Sequence, residues 1–211
     1  MNNGRATGID GIPIELFKIS QIAKEQLYKI ICRVWEEEKI PHDMTTGCII
    51  NIHKKGDHED MNNYRHIALL PRGFKVLTKI INARLLEEIS NLLPDSQAGF
   101  RVGRGCRDHI FSLKVAIHQF LSKRQHAFIT FIDFKAAFGS IDHNFMLRTL
   151  LDMNVSTKLS RLITVIYRQI QMVVKDRRGS LSRAVSIHRG IIEGDRMSPL
   201  LFIASLPVIL S

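Results

Sequence analysis

The spacing of apolar residues along the chain predicts mainly helices. Side chains that recur every three or four positions form apolar stripes bounded by capping residues, glycine or proline. These stripes predict helices over about residues 13–38, 73–93, 110–121, 142–151 and 159–166, and from Ser198 onward, where Pro207 should bend or end the last one. The chain is therefore expected to be rich in helix.

Shorter apolar runs predict two hairpins and one separate strand. Residues 48–52 and 67–70 lie on either side of a basic loop, and residues 172–174 and 184–187 flank a turn-forming segment at 175–180. The run 127–132 is apolar, β-branched and aromatic, and it is predicted to be a buried strand that ends at Asp133. The expected fold class is α+β.

Asp133 is the first candidate for chemistry. A carboxylate at the end of a buried strand can hold a hard divalent cation against a phosphate group. The alternative is that Asp133 only caps the following turn, which is the more common role of an isolated aspartate after a strand. The position by itself leaves both roles open.

Composition restricts the partners and the compartment. The 211 residues are 45% hydrophobic, which is enough for a core, and the formal net charge of +10 favours a polyanionic partner, nucleic acid before membrane. The three cysteines, Cys32, Cys48 and Cys106, are too widely spaced for a Cys-x-x-Cys metal site, and their odd number does not favour a disulfide framework. With no long apolar stretch or signal peptide, the expected location is intracellular, cytoplasmic or nuclear, and neither secreted nor in a membrane.

Five segments in one order resemble the reverse transcriptases of non-LTR (LINE-type) retrotransposons. The resemblance covers the fingers and the first half of the palm, from about Gly4 to Pro207. The matching segments are 8–13 (Gly-Ile-Asp-Gly-Ile-Pro), 63–70 (Asn-Tyr-Arg-His-Ile-Ala-Leu-Leu), 97–104, 131–138 (Phe-Ile-Asp-Phe-Lys-Ala-Ala-Phe) and 190–202.

The resemblance implies a right-hand polymerase architecture. Residues 1–126 would form a fingers-like region and residues 127–211 a partial palm, as one truncated reverse transcriptase domain. The catalytic hairpin with two adjacent aspartates and the thumb would be missing, since no Asp-Asp pair occurs in the sequence. An open sheet edge and an exposed apolar face on the last helix are the expected consequences.

The implied chemistry is nucleotidyl transfer by a two-metal mechanism. The partners would be an RNA template, a DNA primer and a deoxynucleoside triphosphate, with Mg²⁺ as cofactor. By the resemblance, Asp133 is the catalytic, metal-bridging carboxylate, and the backbone carbonyl of Phe134 is a second metal ligand. With Asp133 alone the metal site would be incomplete.

The resemblance also assigns nucleotide-binding residues. Phe138 matches the bulky residue that excludes a ribose 2′-hydroxyl, although a core phenylalanine would look the same in sequence. Glu193 and Gly194 match a loop that lies under the nucleotide. The family usually has Gln at the position of Glu193, and a carboxylate there would repel a triphosphate. Gly139 and His66 are further departures, since the family usually has Asp and Pro there.

Six basic residues complete the predicted site. By the resemblance, three finger residues clamp the triphosphate and three residues of the glycine-rich loop contact template or nucleotide phosphates. The first group is Lys54, Lys55 and Arg65, and the second is Arg101, Arg104 and Arg107. Arg65 matches best, because Tyr-Arg precedes the apolar strand as in the family, and a guanidinium suits phosphate by its bidentate fork. For the two lysines, a solvated basic loop is an equally good interpretation. For the three arginines of the glycine-rich loop, the alternative is surface charge that serves solubility.

Three interpretations of function follow. The first is a reverse transcriptase domain that is inactive alone because it lacks the Asp-Asp motif. The second is a noncatalytic nucleic-acid-binding module that retains the basic fingers. The third is an inert remnant of a retrotransposon.

Overall fold

The computed structural model describes residues 3–176 and 179–210, with only the backbone for Leu210. The turn segment 175–180 therefore lies partly outside the described residues. The helices are α1 (Ile14–Ile19), α2 (Gln21–Glu37), α3 (His42–Thr45), α4 (Arg72–Ile89), α5 (Cys106–Ser122), α6 (Ala137–Ser140), α7 (His143–Asp152), α8 (Thr157–Gln169) and α9 (Ser198–Leu210), with a 3-10 turn over Met61–Asn63. The strands are β1 (Thr46–His53), β2 (Tyr64–Leu69), β3 (Gln171–Val174) and β4 (Val185–Ser186).

The strands form one sheet in the order β2-β1-β3-β4. Both predicted hairpins are confirmed as antiparallel pairs, with Cys48 opposite Leu69 in the first and Gln171 opposite Ser186 in the second. The hairpins join through β1 and β3, which run parallel with Thr46 opposite Gln171. The architecture is thus a small mixed sheet in a helix-rich α+β fold.

The first predicted helix is divided at Ser20. Ser20 has an extended backbone, and its side-chain oxygen accepts a hydrogen bond from the amide of Ala23. This is N-cap geometry, so Ser20 ends α1 and starts α2.

At the C-terminal end of α2, Glu38 adopts a left-handed conformation with a φ of 55°, and its carboxylate pairs with Arg161 at 2.7 Å and Lys158 at 3.0 Å. These two ion pairs connect the end of α2 to α8.

One continuous apolar cluster forms the core. It contains side chains from α4, α8 and α9, and the completely buried members include Phe74, Leu77, Ile81, Leu85, Leu162, Ile163 and Leu201. Burying each such side chain contributes roughly 1.5–3 kcal/mol relative to leaving it in water. The cluster includes residues on both sides of position 126. The predicted division at that position stays a prediction.

Two helix predictions differ from the structure at their C-terminal ends. Helix α4 ends at Ile89, short of the predicted Leu93. Helix α9 continues through Pro207 to Leu210. The predicted exposed face of α9 is also wrong, because Leu201 and Ile203 are 0% and 1% exposed. That face packs into the apolar cluster, where it contacts α7 and α4. These two helices cover it.

The predicted buried strand at 127–132 does not form. These residues have no regular structure, and Phe128 and Phe131 are 98% and 81% exposed. Composition gives the segment a high strand propensity, but a strand also needs a neighbouring backbone for its hydrogen bonds. None of the four strands in the described part of the chain lies beside it. The preceding helix α5 likewise has no buried residue.

The segment 189–197, here called the docking loop, is held against the turn that precedes α7. The amide of Gly190 donates to Ile141 O and the amide of Ile191 donates to Phe138 O, each at 2.8 Å. Gly190 has a φ of +92°, and a Cβ built on it would lie 3.0 Å from the Cα of Gly139. The two backbones touch, and only glycine fits at position 190 without strain.

The docking loop also covers the outer edge of β2. The amide of Ala68 donates to Glu193 O at 2.8 Å. Gly194 has a φ of +107°, and a Cβ on it would be 2.7 Å from Ala68 O. This edge of the sheet is therefore partly satisfied by the loop. The open sheet edge expected from a missing catalytic hairpin stays a prediction.

A buried carboxylate fixes the C-terminal end of the docking loop to α4. Asp195 is 6% exposed, and it accepts hydrogen bonds from Thr78 Oγ1 at 2.5 Å and from the amide of Met197 at 3.2 Å. Burial raises the pKa of Asp195, against the opposing effect of the Thr78 bond. Burial likewise lowers the pKa of the nearby Lys75 ammonium.

We predict that the two touching glycines respond oppositely to alanine. Gly190→Ala should lower the free energy of unfolding by about 1–3 kcal/mol, because the side chain would be strained at positive φ and would strike Gly139. Gly139→Ala should be neutral or stabilising by up to about 1 kcal/mol, because a Cβ there meets only Ala136 Cβ at 4.0 Å. Urea unfolding midpoints measure both effects. Equal midpoints for the two variants would contradict the docked geometry.

We also predict that Asp195 makes stability depend on pH. Since folding raises the pKa of Asp195, its favourable contribution is complete below the ordinary carboxyl pKa and is lost as the pH rises through the folded-state value. The unfolding free energy of the wild type relative to Asp195→Asn should therefore decrease as the pH rises above the ordinary carboxyl pKa of 3.8. Urea titrations of both proteins at each pH measure this difference. A difference that grows with pH would show that the carboxylate is stabilised as the anion.

Candidate functional site

Three segments that are distant in sequence meet at one surface. They are β2, the short helix α6 that contains Phe138 (the Phe138 turn), and the docking loop. The hydrogen bonds from Ala68 to Glu193 O and from Ile191 to Phe138 O connect them directly. The sequence analysis assigned nucleotide contacts to all three segments. The structure links the segments of Phe138 and of Glu193 and Gly194 to each other and to Ala68 of β2, whereas Arg65 lies three residues before Ala68 on the same strand.

Phe138 lies in an aromatic cluster. Its ring stacks on Phe202 of α9 with centroids 5.0 Å apart, and it meets the edge of Phe100 at 6.2 Å. These contacts orient the Phe138 ring. The sequence analysis did not single out Phe100 or Phe202 as site residues. The available signals were weak: Phe202 continues the apolar pattern of α9, and Phe100 sits in a glycine-rich loop, where it adopts a φ of 59°.

The predicted triphosphate clamp lies at the end of the first hairpin. Arg65 is exposed on β2 opposite Ile52. Lys54 and Lys55 are exposed just after β1, where the amide of Lys54 donates to Asn63 O at 2.8 Å. The hairpin pairing therefore places three cationic side chains at one end of the sheet. Such a cluster attracts a polyphosphate.

A cavity of about 210 Å³ lies between the sheet and the docking loop. Its walls are mostly apolar, and the ionisable residues that line it are His66, Arg189 and Glu193. The Nδ1 atom of His66 is 2.7 Å from Asn51 Oδ1 on the adjacent strand. The Glu193 side chain is half-buried, whereas Gly194 is exposed.

Two of the three arginines of the glycine-rich loop bind to residues of the segment that follows α4. Arg101 donates through Nη1 to Pro94 O at 2.8 Å. Arg104 forms an ion pair with Asp95 at 2.7 Å, and this hydrogen bond lowers the pKa of the Asp95 carboxyl. Arg107 is exposed in the first turn of α5. Arg101 and Arg104 thus help to fix the loop conformation, a role that their predicted phosphate contacts did not include.

Asp133 and Phe134 lie in the exposed segment between α5 and α6. Within the part of the chain that the structure describes, Asp133 has no hydrogen bond or ion pair, and Phe134 is 39% exposed. The same residues contain no group of three His, Cys, Asp or Glu side chains able to hold a metal ion. Mg²⁺ requires near-octahedral oxygen coordination. The described residues therefore do not fit the expected metal site.

The structure also bears on the membrane prediction. Among the described helices, none combines the length and the apolar character needed to cross a bilayer.

Comparison with known sequences identifies the family. The family model described as reverse transcriptase (RNA-dependent DNA polymerase) matches residues 52–211. This range contains β2, Asp133, Phe138 and the docking loop, so it includes every segment of the candidate site.

Curated relatives come from mobile elements of animals. The chain is 25% identical over 205 residues to the retrovirus-related Pol polyprotein from type-1 retrotransposable element R2 of Popillia japonica, covering 97% of this chain and 28% of that protein. It is 29% identical over 165 residues to the RNA-directed DNA polymerase from mobile element jockey of Drosophila funebris, covering 77% and 18%. A third relative is the transposon TX1 uncharacterized 149 kDa protein of Xenopus laevis, at 22% identity over 205 residues, covering 96% and 15%.

The chain spans less than a third of the length of each of these relatives. The family match covers most of the chain, and the motif order predicts the same family. The chain therefore belongs to the reverse transcriptase (RNA-dependent DNA polymerase) family.

Proposed function

We propose that this chain forms the nucleotide-contacting part of a polymerase domain that copies RNA into DNA. The observation that carries the proposal is the convergence of β2, the Phe138 turn and the docking loop through the Ala68–Glu193 and Ile191–Phe138 hydrogen bonds. Phe138, Glu193 and Gly194 thereby lie on segments that are hydrogen-bonded to each other and to β2, the strand that carries Arg65. The substrates would be an RNA template, a DNA primer and a deoxynucleoside triphosphate.

The cationic end of the hairpin is the proposed triphosphate site. Arg65 is exposed on a strand rather than on a loose loop, so its backbone position is fixed by the pairing with Ile52. A guanidinium can give two hydrogen bonds to phosphate, whereas Lys54 and Lys55 act as point charges. Glu193 opposes this attraction, so the resulting affinity should be lower than with glutamine at that position.

Phe138 is the proposed selector for deoxyribose. Its ring is supported by Phe202 behind it and by Phe100 at its edge. A phenyl ring held in this way can exclude a 2′-hydroxyl by sterics, because it cannot rotate aside without losing two aromatic contacts.

We further propose that this 211-residue chain does not polymerise by itself. The sequence contains no pair of adjacent aspartates, and Asp133 stands alone in an exposed segment. A single carboxylate supplies too few oxygen ligands for the two-metal chemistry of the family. Triphosphate binding and nucleotidyl transfer are therefore separate properties of this chain, and each needs its own experiment.

A noncatalytic nucleic-acid-binding role is the second candidate. The net charge of +10 favours it, because contacts between cations and phosphates release counterions whatever the sequence of the nucleic acid. The candidate basic residues are those of the hairpin end and Arg107. This role requires neither Asp133 nor discrimination between sugars.

Primer extension tests the catalytic proposal. With a poly(rA) template, an oligo(dT) primer and Mg²⁺, we expect the wild type and Asp133→Asn to give the same background incorporation, because one carboxylate cannot complete the metal site. Incorporation by the wild type that disappears in Asp133→Asn would overturn the proposed inactivity. A full-length retrotransposon polymerase serves as the positive control.

Triphosphate binding tests the proposed nucleotide site. Arg65→Gln should weaken binding of a fluorescent deoxynucleoside triphosphate about 10-fold or more, since a hydrogen bond to a charged group contributes roughly 1.5–3 kcal/mol. Arg33→Gln is the matched control, because Arg33 is an exposed arginine on α2 with the same charge change. Equal losses in the two variants would exclude Arg65 as a specific phosphate ligand.

Filter binding of single-stranded RNA across a salt series tests the second candidate. The logarithm of the binding constant should fall linearly with the logarithm of salt concentration, with a slope that reports the number of phosphates neutralised. Affinity that does not change with salt would eliminate the nucleic-acid-binding module. A chain that binds neither RNA nor triphosphate would be an inert remnant.

A further inference from the structure

His143 connects α7 to the docking loop. It is the first residue of α7, and its Nε2 atom lies 2.9 Å from Gly190 O. A carbonyl oxygen can only accept, so Nε2 must carry the proton in this bond. The imidazole ring also meets the ring of Tyr167 edge-on, at 4.8 Å between centroids, and Tyr167 is buried. Two contacts thus fix the orientation of His143.

The helix itself does not require this imidazole. Asp142 already caps α7, because its carboxylate accepts a hydrogen bond from the amide of Phe145 at 3.0 Å. The donor of His143 points away from the helix backbone, to a residue 47 positions further along the chain. The bond therefore contributes to the position of the docking loop rather than to the formation of α7.

The bond belongs to a set that joins the Phe138 turn to the docking loop. The other members are the two backbone bonds to Ile141 O and Phe138 O, and a bond from Arg189 Nε to Ser140 O at 2.9 Å. Gly190 and Gly139 are in backbone contact at the centre of the set. Because the interior is close-packed and the two backbones are in direct contact, each bond of the set acts on the same short interface.

We propose that His143 is a positioning residue that sets the distance between Phe138 and the Glu193–Gly194 segment. It acts through Gly190 O, three residues before Glu193, while Phe138 is held by the amide of Ile191. This inference rests on the proposed nucleotide site, since the positioned groups are its sugar-facing and base-facing sides. His143 would thereby control discrimination between deoxyribose and ribose without touching the nucleotide.

Two substitutions separate the hydrogen bond from the ring packing. His143→Phe keeps an aromatic ring against Tyr167 and removes the donor. His143→Gln loses the ring and offers an amide donor in place of Nε2–H. His118→Phe, at an exposed position of α5, is the control for the same chemical change elsewhere. Each protein is tested as the whole 211-residue chain.

The decisive measurement is the ratio of affinities for a deoxynucleoside and a ribonucleoside triphosphate carrying the same base and label. His143→Phe should reduce this ratio about 10-fold, a change of about 1.4 kcal/mol in relative affinity, and His143→Gln should restore most of it. His118→Phe should leave the ratio unchanged. A purely structural role would weaken both affinities equally, so an unchanged ratio in His143→Phe overturns the proposal.

Amide hydrogen exchange provides a readout that does not depend on nucleotide binding. Exchange at Gly190 and Ile191 should become faster in His143→Phe and return toward the wild-type rate in His143→Gln, while the core amides of α4 remain protected. If the wild type binds neither triphosphate, the proposed function fails and exchange alone decides. Unchanged exchange at both amides would then overturn the positioning role.

Discussion

The docking loop depends on a buried carboxylate, and the candidate site depends on the docking loop. Asp195 is held by Thr78 of α4, and this bond attaches the loop to a helix whose apolar face lies at the centre of the core. A carboxylate is costly to bury because it loses its hydration, and burial accordingly raises the pKa of Asp195. With Asp195 attached to α4, the preceding residues of the docking loop contact both β2 and the Phe138 turn.

The rest of the loop is positioned by backbone contacts that leave little room for side chains. Gly190 and Gly194 both have positive φ values, and each lies against another backbone. Glu193 contributes its carbonyl to Ala68, so docking needs no particular side chain at that position. The family usually has Gln where this chain has Glu193. This difference therefore changes the charge of the surface and leaves the docking of the loop intact. Gly139 touches the backbone of Gly190, but a Cβ on Gly139 would point elsewhere and meet only Ala136 Cβ at 4.0 Å.

The chain divides into a packed part and an exposed part. The helices α4, α8 and α9 and the sheet bury their apolar residues in one cluster. Helix α5 and the segment up to Ala136 bury none, although Phe111, Phe128 and Phe131 are among their side chains. Local stability follows buried contacts, so this region should open far more readily than the core. Asp133 lies in the exposed part, whereas Phe138 and Glu193 lie at the edge of the packed part.

The sequence by itself determined the helices with strong apolar periodicity, both hairpins and the family, because these depend on local spacing and on motif order. Tertiary structure decided what local spacing cannot encode. It set the parallel pairing of β1 with β3, gave Arg101 and Arg104 protein partners, and placed Phe100 and Phe202 around Phe138. It also left residues 127–132 unpaired, since strand propensity is a property of the segment but hydrogen bonding requires a neighbour. Pro207 lies inside α9 after turns that are buried in the core, whereas Val208 and Ile209 beyond it are exposed.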